Sequence, residues 1–424
     1  MDKISLQLNK IKSGHSRPSN IAPTNTKKVG VLGSGMMGHG ITYITSISGL
    51  EVIMTDTTQE NAERGLERIK SILTDEVNKG KMAGQEMQEA LKKITATDDY
   101  GKLAECDLII EAVFENIDLK QKVTVEAESC MDNTGIFASN TSTIPITKLA
   151  KISSRPENFI GIHFFSPVHK MKLVEIIKGE KTSPLALAKA FDYVLKIGKI
   201  PIVVNDGPGF YTTRVFEKYT CEGLALLHEG QGVQLIEAAG KQAGYPVGPL
   251  SVLDEINIEL AYHIRKQTSN YILYEKSNQK EPWDIVIDFM INEAKRTGRA
   301  GGGGFYEYHP NKKKSLWFEI HNHFPPAKIK LPIEEIIDRF YFAQILETIR
   351  CYQEGILTSV ADANIGSVFG WGFPASKGGT LQFVNDYGVV EFSDRAKELA
   401  EKYGKRFLPP KLLKEMSQSG KDFR

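Results

Sequence analysis

The sequence has few cysteines, almost no net charge and no long apolar run. Its 424 residues carry 53 lysines and arginines against 52 acidic residues, so no overall field favours nucleic acid or a membrane surface. No apolar stretch has the roughly 20 residues that a membrane-spanning helix requires. Cys106, Cys130, Cys221 and Cys351 lack the spacing of a metal site, and we expect free thiols in a reducing compartment and no bound metal.

The order of predicted elements divides the chain into four parts. Residues 1–26 are predicted to form an N-terminal arm or linker. Apolar β-type runs alternate with helical patterns over 27–206, which predicts an α/β domain with a Rossmann-like, doubly wound sheet. Helical patterns then dominate, and they predict two related all-α domains, 207–310 and 333–424.

A faint internal repeat supports the division of the helical part. RVFEKYTCEGLALLHEGQ, which begins at Arg214, is similar to RFYFAQILETIRCYQEGI, which begins at Arg339. YPVGPLSVLDEI, from Tyr245, is similar to FPASKGGTLQFVNDY, from Phe373. Each copy has an apolar helix that ends in Glu-Gly, then an aromatic-Pro turn and a further helix, so we expect two related folding units.

The stretch GSGMMG follows the apolar strand VGVL at once and precedes a helical run. Gly33 permits a tight turn, Gly35 lets a pyrophosphate approach the backbone, and Gly38 lets the helix lie close to the sheet. Asp56 ends the next strand, 18 residues after Gly38, where a carboxylate binds ribose hydroxyls and repels a 2′-phosphate. The pattern predicts NAD binding, and the alternative is a structural glycine turn.

Polar residues also follow the next two predicted strands. The run EAVFENIDLK comes after DLII, and ASNTS comes after GIF. Ligands of open α/β sheets bind beyond the carboxyl ends of the strands, so we expect these residues beside the cofactor. Ser142 has a second interpretation, because its hydroxyl is placed to cap a helix that begins near Ile144.

Residues 161–177, GIHFFSPVHKMKLVEII, place His163 and Glu175 where two apolar runs are expected to carry hydrophobic residues. If these runs pair antiparallel about His169, the two side chains face each other with Cβ atoms about 5 Å apart. A carboxylate on one imidazole nitrogen fixes the tautomer and leaves the other nitrogen as a general base. The alternative is a core histidine with an exposed glutamate. His169 and Lys170 are expected on the surface.

Together these residues resemble the L-3-hydroxyacyl-CoA dehydrogenase family. The matching stretches are VGVLGSGMMGHGI, SNTS, HFFSPVHKMKLVEII and VNDGPGFYTTR, and the resemblance runs from about Lys27 to Phe407. It is closest to the dehydrogenase part of the multifunctional fatty-acid β-oxidation enzymes. The resemblance implies NAD-dependent oxidation of L-3-hydroxyacyl-CoA to 3-ketoacyl-CoA.

The resemblance also implies roles for individual residues. His163 is implied as the general base, Glu175 as its partner, and Ser142 as a hydrogen-bond donor to the substrate oxygen. Thr213, the fourth implied catalytic residue, stands where the family often has asparagine, which leaves turnover and chain-length preference open. The implied NAD contacts are Gly33, Gly35, Met37, Gly38, Asp56, Val113, Glu115, Lys120, Ser142 and Ser166.

The resemblance implies partners as well. The multifunctional enzymes carry a hydratase domain before this region, and residues 1–26 are too few to form one. We therefore expect no hydratase activity, an acyl-CoA substrate, and hydratase and thiolase subunits as partners. Two helical copies in one chain predict an internal pseudo-dimer and a monomer or weak oligomer, in the cytoplasm or, in a eukaryote, the mitochondrial matrix or peroxisome.

Two alternatives to this function stay open from the sequence. The first is a non-catalytic scaffold or binding subunit of a β-oxidation complex, which the threonine at position 213 suggests. The second is a nicotinamide dehydrogenase that acts on a free hydroxy acid. A requirement for the CoA moiety distinguishes the second alternative from the family's activity.

Overall fold

The computed structural model describes residues 3–262, 280–309 and 311–424. The chain divides into two compact units. The first consists of Met1–Phe210 and Ile356–Gly370, and the second of Tyr211–Gly355 and Trp371–Arg424. In the part of the chain that is described, no helix combines the length and the apolar character needed to cross a membrane.

The first unit is built on one eight-stranded sheet. Its strands are β1 (Lys28–Leu32), β2 (Glu51–Thr55), β3 (Ile94–Thr97), β4 (Leu108–Glu111), β5 (Ile136–Ser139), β6 (Phe159–Phe164), β7 (Leu173–Lys178) and β8 (Ile200–Asn205). Their order is β3-β2-β1-β4-β5-β6-β7-β8. Strands β1 to β6 are parallel, and β7 and β8 run the opposite way. The predicted Rossmann-like sheet is confirmed.

Helices cover this sheet, which is why its strands are almost continuously apolar. Two of these helices, Gln59–Asn78 and Gly84–Lys92, follow β2. Thr58 begins the first of them, because its side chain accepts the backbone N–H of Asn61. The unit's other helices are Lys3–Lys12, Met36–Ile47, Ile117–Cys130, Ile146–Leu149, Pro184–Lys196 and most of Val360–Trp371, with short 3-10 turns at Tyr100–Leu103, Ala150–Ile152 and Pro156–Asn158.

The described part of the N-terminal arm, 3–26, is packed as part of the first unit. Ile11 is fully buried, and the Arg17 guanidinium pairs with the Asp192 carboxylate at 2.7 Å. Residues 356–370 belong to the same unit, where the Ile356 carbonyl accepts the N–H of Asn205 just after the last strand. The sheet unit therefore includes a segment from the region predicted as the second helical domain.

The second unit is almost wholly helical. The predicted all-α domains, 207–310 and 333–424, both lie in it apart from 207–210 and 356–370, and their separation stays a prediction. A short antiparallel pair, β9 (Tyr306–Glu307) and β10 (Ser315–Leu316), is also present. The helices are Thr212–His228, Val233–Ala243, Pro249–Ile256, Pro282–Asp288, Ile320–His323, Ile333–Gln353, Thr380–Tyr387, Val389–Tyr403 and Lys411–Ser419, with a π turn at Phe289–Glu293 and 3-10 turns at Arg299–Gly301, Ala375–Lys377 and Lys405–Phe407.

The two copies of the repeat exchange ion pairs reciprocally. Arg214 and Arg339 open the two copies, and each arginine binds two glutamates of the other copy. In both copies these glutamates stand 8 and 15 residues after the arginine. The relation is that of an isologous interface formed within one chain. The four pairs, each 2.6 Å between nitrogen and oxygen, are Arg214–Glu347, Arg214–Glu354, Arg339–Glu222 and Arg339–Glu229.

Candidate active site

Two of the loop glycines, Gly33 and Gly38, are required by the backbone geometry, and the third, Gly35, leaves open space. Gly33 has a φ of +94°, and a Cβ on it would come within 2.9 Å of the Ala112 carbonyl oxygen. A Cβ on Gly38 would fall 1.7 Å from the Gly33 oxygen, so the helix can approach the turn only with glycine there. Gly35 faces open space and stands at the start of Met36–Ile47. The loop thus offers a pyrophosphate the free N–H groups of a helix N-terminus.

The loop lies at the switch point of the sheet. β1 has β2 on one side and β4 on the other, so the chain order reverses between β1 and β4. The Gly33 turn meets the end of β4 at Ala112. In doubly wound sheets the crevice at this position is where dinucleotides bind.

Asp56 presents a carboxylate beside this loop. One of its oxygens accepts the Ser34 N–H at 2.7 Å and the Ser34 hydroxyl at 2.6 Å, and the other accepts the Thr57 N–H at 2.7 Å. Burial acts to raise the pKa of Asp56, but these hydrogen bonds hold it below its usual value. An ionised carboxylate at the end of β2 disfavours a 2′-phosphate.

A buried ionic network lies under the end of β4. The Lys120 ammonium is 2.8 Å from the Glu111 carboxylate and 3.2 Å from the Glu115 carboxylate, and the Ser139 hydroxyl donates to Glu111 at 2.6 Å. Burial acts to lower the pKa of Lys120, and the two glutamates raise it. Glu111 was missed from the sequence. Its signal was an acid at the end of an apolar strand, the same pattern that identified Asp56.

Glu115 ties together the loops that follow β4 and β5. One oxygen of its carboxylate accepts the N–H of Ser142 at 3.0 Å and the hydroxyl of Thr141 at 2.5 Å. The Ser142 side chain is half-buried, and its capping interpretation is wrong, because the helix Ile146–Leu149 begins after Pro145 and has no side-chain cap. Val113 donates its N–H to Glu111 at 2.8 Å. The predicted polar residues therefore come together at this edge of the sheet.

His163 and Glu175 face each other across β6 and β7. They are directly opposed in the antiparallel register, and His163 Nδ1 lies 3.0 Å from Glu175 Oε2. Their side chains are 5% and 0% exposed, so the alternative of an exposed glutamate is excluded. His163 stands near the carboxyl end of β6, at the same edge of the sheet as Gly33 and Asp56. The predicted pairing is confirmed.

Three contacts around this pair were not predicted. The ring of Phe165 lies 4.6 Å from the His163 ring, and that of Phe210 lies 6.2 Å away. Phe210 is fully buried at a φ of +51° in the turn that ends the unit. Asn140 accepts the N–H of Phe164 at 2.8 Å and so joins the loop after β5 to β6. The contacts of Phe210 and Asn140 join distant parts of the chain, so no sequence spacing signals them.

The remaining predicted residues lie in several places. Met37 is half-buried on the nucleotide helix, and Ser166 is exposed in the bend after β6. His169 is half-buried, with its ring packed edge-on against Tyr43 at 6.1 Å, and Lys170 is exposed as expected. Thr213 is the second residue of the helix Thr212–His228, in the second unit, and its catalytic role stays a prediction.

A glycine loop at the switch point, a carboxylate at the end of β2 and a buried His–Glu pair lie at one edge of one sheet, and this is the arrangement of a nicotinamide-dependent dehydrogenase. The chain belongs to the 3-hydroxyacyl-CoA dehydrogenase family. Residues 28–207 match the family's NAD binding domain, and residues 209–308 match its C-terminal domain. The cofactor is therefore NAD, and the open face at Gly35 with the Asp56 carboxylate fits it.

Similar proteins agree with this assignment. The fatty acid oxidation complex subunit alpha of Ectopseudomonas oleovorans is 37% identical over 406 residues, covering 94% of this chain and 56% of that protein. The chain thus spans about half the length of the curated relatives it matches. A (S)-3-hydroxybutyryl-CoA dehydrogenase from Ralstonia eutropha is 32% identical, with a TM-score of 0.63, and aligns over 67% of this chain and all of its own.

One further structure shares the fold over nearly the whole chain. A 3-hydroxybutyryl-CoA dehydrogenase from Escherichia coli has a TM-score of 0.81 and covers 94% of this chain and 99% of its own. Its sequence is 22% identical, so the likeness concerns the fold alone.

Proposed function

We propose that the chain oxidises L-3-hydroxyacyl-CoA to 3-ketoacyl-CoA with NAD, as one step of fatty-acid β-oxidation. The observation that carries this proposal is the hydrogen bond between His163 and Glu175 at the edge of the NAD-binding sheet. The names of the relatives support the substrate class, since both hydroxybutyryl-CoA dehydrogenases and fatty acid oxidation subunits are among them.

In the proposed mechanism His163 removes the hydroxyl proton of the substrate. The Glu175 carboxylate accepts the N–H at Nδ1, which leaves the lone pair of Nε2 for the proton. When the imidazolium forms, the same carboxylate stabilises its charge at 3.0 Å. Bound NAD supplies the acceptor for the hydride that leaves carbon 3. The rings of Phe165 and Phe210 keep the His163–Glu175 pair, the dyad, in apolar surroundings, where this ionic stabilisation is stronger.

The loop after β5 is proposed to orient the substrate. The Ser142 hydroxyl donates a hydrogen bond to the substrate oxygen, and the Glu115 carboxylate fixes the Ser142 backbone beneath it. Thr213 is proposed as the fourth catalytic residue, in the role that the family's asparagine has. The proposed NAD contacts are Gly33, Gly35, Met37, Gly38, Asp56, Val113, Glu115, Lys120, Ser142 and Ser166.

A spectrophotometric assay of NADH formation tests this function. L-3-hydroxyacyl-CoA substrates of short, medium and long chain are expected to be oxidised with NAD, and turnover with NADP is expected to be at least about tenfold lower because of the Asp56 charge. The matched controls are the D isomer and the free hydroxy acid. Equal turnover of the free acid would refute the acyl-CoA assignment, and no turnover of any substrate would support a non-catalytic role.

We also propose that the two helical copies act as an internal pseudo-dimer. The support is the reciprocal set of ion pairs that Arg214 and Arg339 make with the other copy. Because the two copies already bury this surface against each other, little of it remains for contact with a second molecule. A monomer or weak oligomer is therefore expected in light scattering. Hydratase and thiolase subunits are the proposed partners, since the alpha subunits in the comparison belong by name to an oxidation complex.

A further inference from the structure

Lys199 is a buried lysine whose partners are backbone carbonyls. It directly precedes β8 and is 5% exposed, and its ammonium donates to the carbonyls of Val168 and Met171. Among the described residues no carboxylate pairs with it. Burial lowers the pKa of its ammonium to about 8. A buried cation without a counter-charge is costly, so it needs a reason beyond packing.

Both carbonyls belong to the bend 165–172. This bend joins β6 to β7, the two strands that carry His163 and Glu175. It also leaves the sheet at the carboxyl end of β6, which is the edge where doubly wound sheets bind their ligands. The position of the bend therefore affects both the dyad and the wall of the cofactor crevice.

The other face of the bend rests on the nucleotide helix, Met36–Ile47. Val168 is 2% exposed, and a Cβ on Gly40 of that helix would come within 2.9 Å of the Val168 Cβ. The His169 ring packs edge-on against Tyr43 of the same helix. The bend is thus held between Lys199 on one side and the helix that begins the dinucleotide loop on the other.

We propose that Lys199 is a positioning residue for the cofactor. Its charge-assisted hydrogen bonds seat the bend against the nucleotide helix and so set the width of the NAD crevice. Without the ammonium, two inward-facing carbonyls lose their donor, and the bend shifts to reach water. The proposal deepens the function proposed above and rests on it.

The test compares two lysines that bond backbone carbonyls. Lys199→Met is expected to weaken NAD binding about tenfold by calorimetric titration, and to raise the KM for NAD but not for acyl-CoA. Lys196→Met is the matched control, because Lys196 donates to the Thr26 carbonyl at 2.7 Å, away from the bend. Its NAD affinity is expected to equal that of the wild type.

Val168→Ala tests the same path from the other side, since it removes the packing against Gly40 and keeps Lys199. It is also expected to weaken NAD binding. Wild-type NAD affinity in Lys199→Met overturns the proposal, and so does wild-type affinity in Val168→Ala if Lys199→Met does not fold. The titration needs no acyl-CoA, so a wild type that oxidises no 3-hydroxyacyl-CoA would refute the proposed function and leave this test of Lys199 intact.

Discussion

The helical copy that begins at Arg214 and the copy that begins at Arg339 bury equivalent positions against each other. Besides the ion pairs, each copy places a glycine against a proline of the other. A Cβ on Gly244 would come within 3.2 Å of Pro374, and a Cβ on Gly372 within 2.7 Å of Pro246. Each glycine directly precedes the aromatic-Pro pair of its own copy. The contacts between the copies have kept their twofold relation.

Away from these contacts the copies differ. The sixth residue of the eight-residue helix Pro249–Ile256 is Asp254, and the sixth residue of Thr380–Tyr387 is Asn385. Asp254 accepts the N–H groups of Phe305 and Tyr306 at 2.8 and 2.9 Å. Asn385 accepts the N–H of Phe423 at 2.9 Å and donates to its carbonyl at 2.8 Å. Each of these side chains anchors the backbone of a phenylalanine that lies further along the chain. A carboxylate does so in the first copy and a neutral amide in the second.

The largest effect on stability is expected at the ion pairs between the copies, because the two arginines differ in burial. Arg339 is fully buried, whereas Arg214 is 15% exposed and its partner Glu354 is 45% exposed. Arg339→Met is expected to lower the free energy of unfolding by about 3 kcal/mol. Arg214→Met is expected to lower it by about 1 kcal/mol. Urea unfolding measures both, and equal losses would show that burial does not distinguish the two copies.

Exchanging the side-chain types of Asp254 and Asn385 is expected to lower the stability less than Arg339→Met does. Asp254→Asn leaves an amide facing backbone N–H groups, and Asn385→Asp places a carboxylate against the Phe423 carbonyl. Each substitution is expected to lower the free energy of unfolding by roughly 1–2 kcal/mol. A neutral result for either variant in urea unfolding would mean that the two anchors are interchangeable.

The smallest effect is a pH dependence of the stability, which Asp254 introduces and Asn385 does not. Burial raises the pKa of Asp254 to about 6, above its value of about 3.9 in an unfolded chain. The folded state thus holds this proton more tightly, so the stability it contributes is full below about pH 4 and is lost as the pH rises through about 6. The stability difference between wild type and Asp254→Asn is expected to change in that window, and a pH-independent difference would contradict the raised pKa.

The sequence was informative where the pattern was local. The glycine loop and Asp56 follow a fixed spacing, and the opposition of His163 and Glu175 follows from a short bend between two apolar runs. Contacts between distant segments left no such signal. The approach of Phe210 to His163 arises only when separate elements pack, and the membership of 356–370 in the sheet unit depends on the packing of the whole chain.

The measurement that tests the central claim most directly is the turnover of His163→Ala with L-3-hydroxyacyl-CoA and NAD. The account predicts that NADH formation falls by about a thousandfold, since a general base contributes roughly 10²–10⁴. NAD affinity by titration is expected to stay near that of the wild type. His228→Ala, which changes an exposed histidine of the second unit, is the control and is expected to keep its activity. Turnover in His163→Ala within a few-fold of the wild type would contradict the assignment of the base.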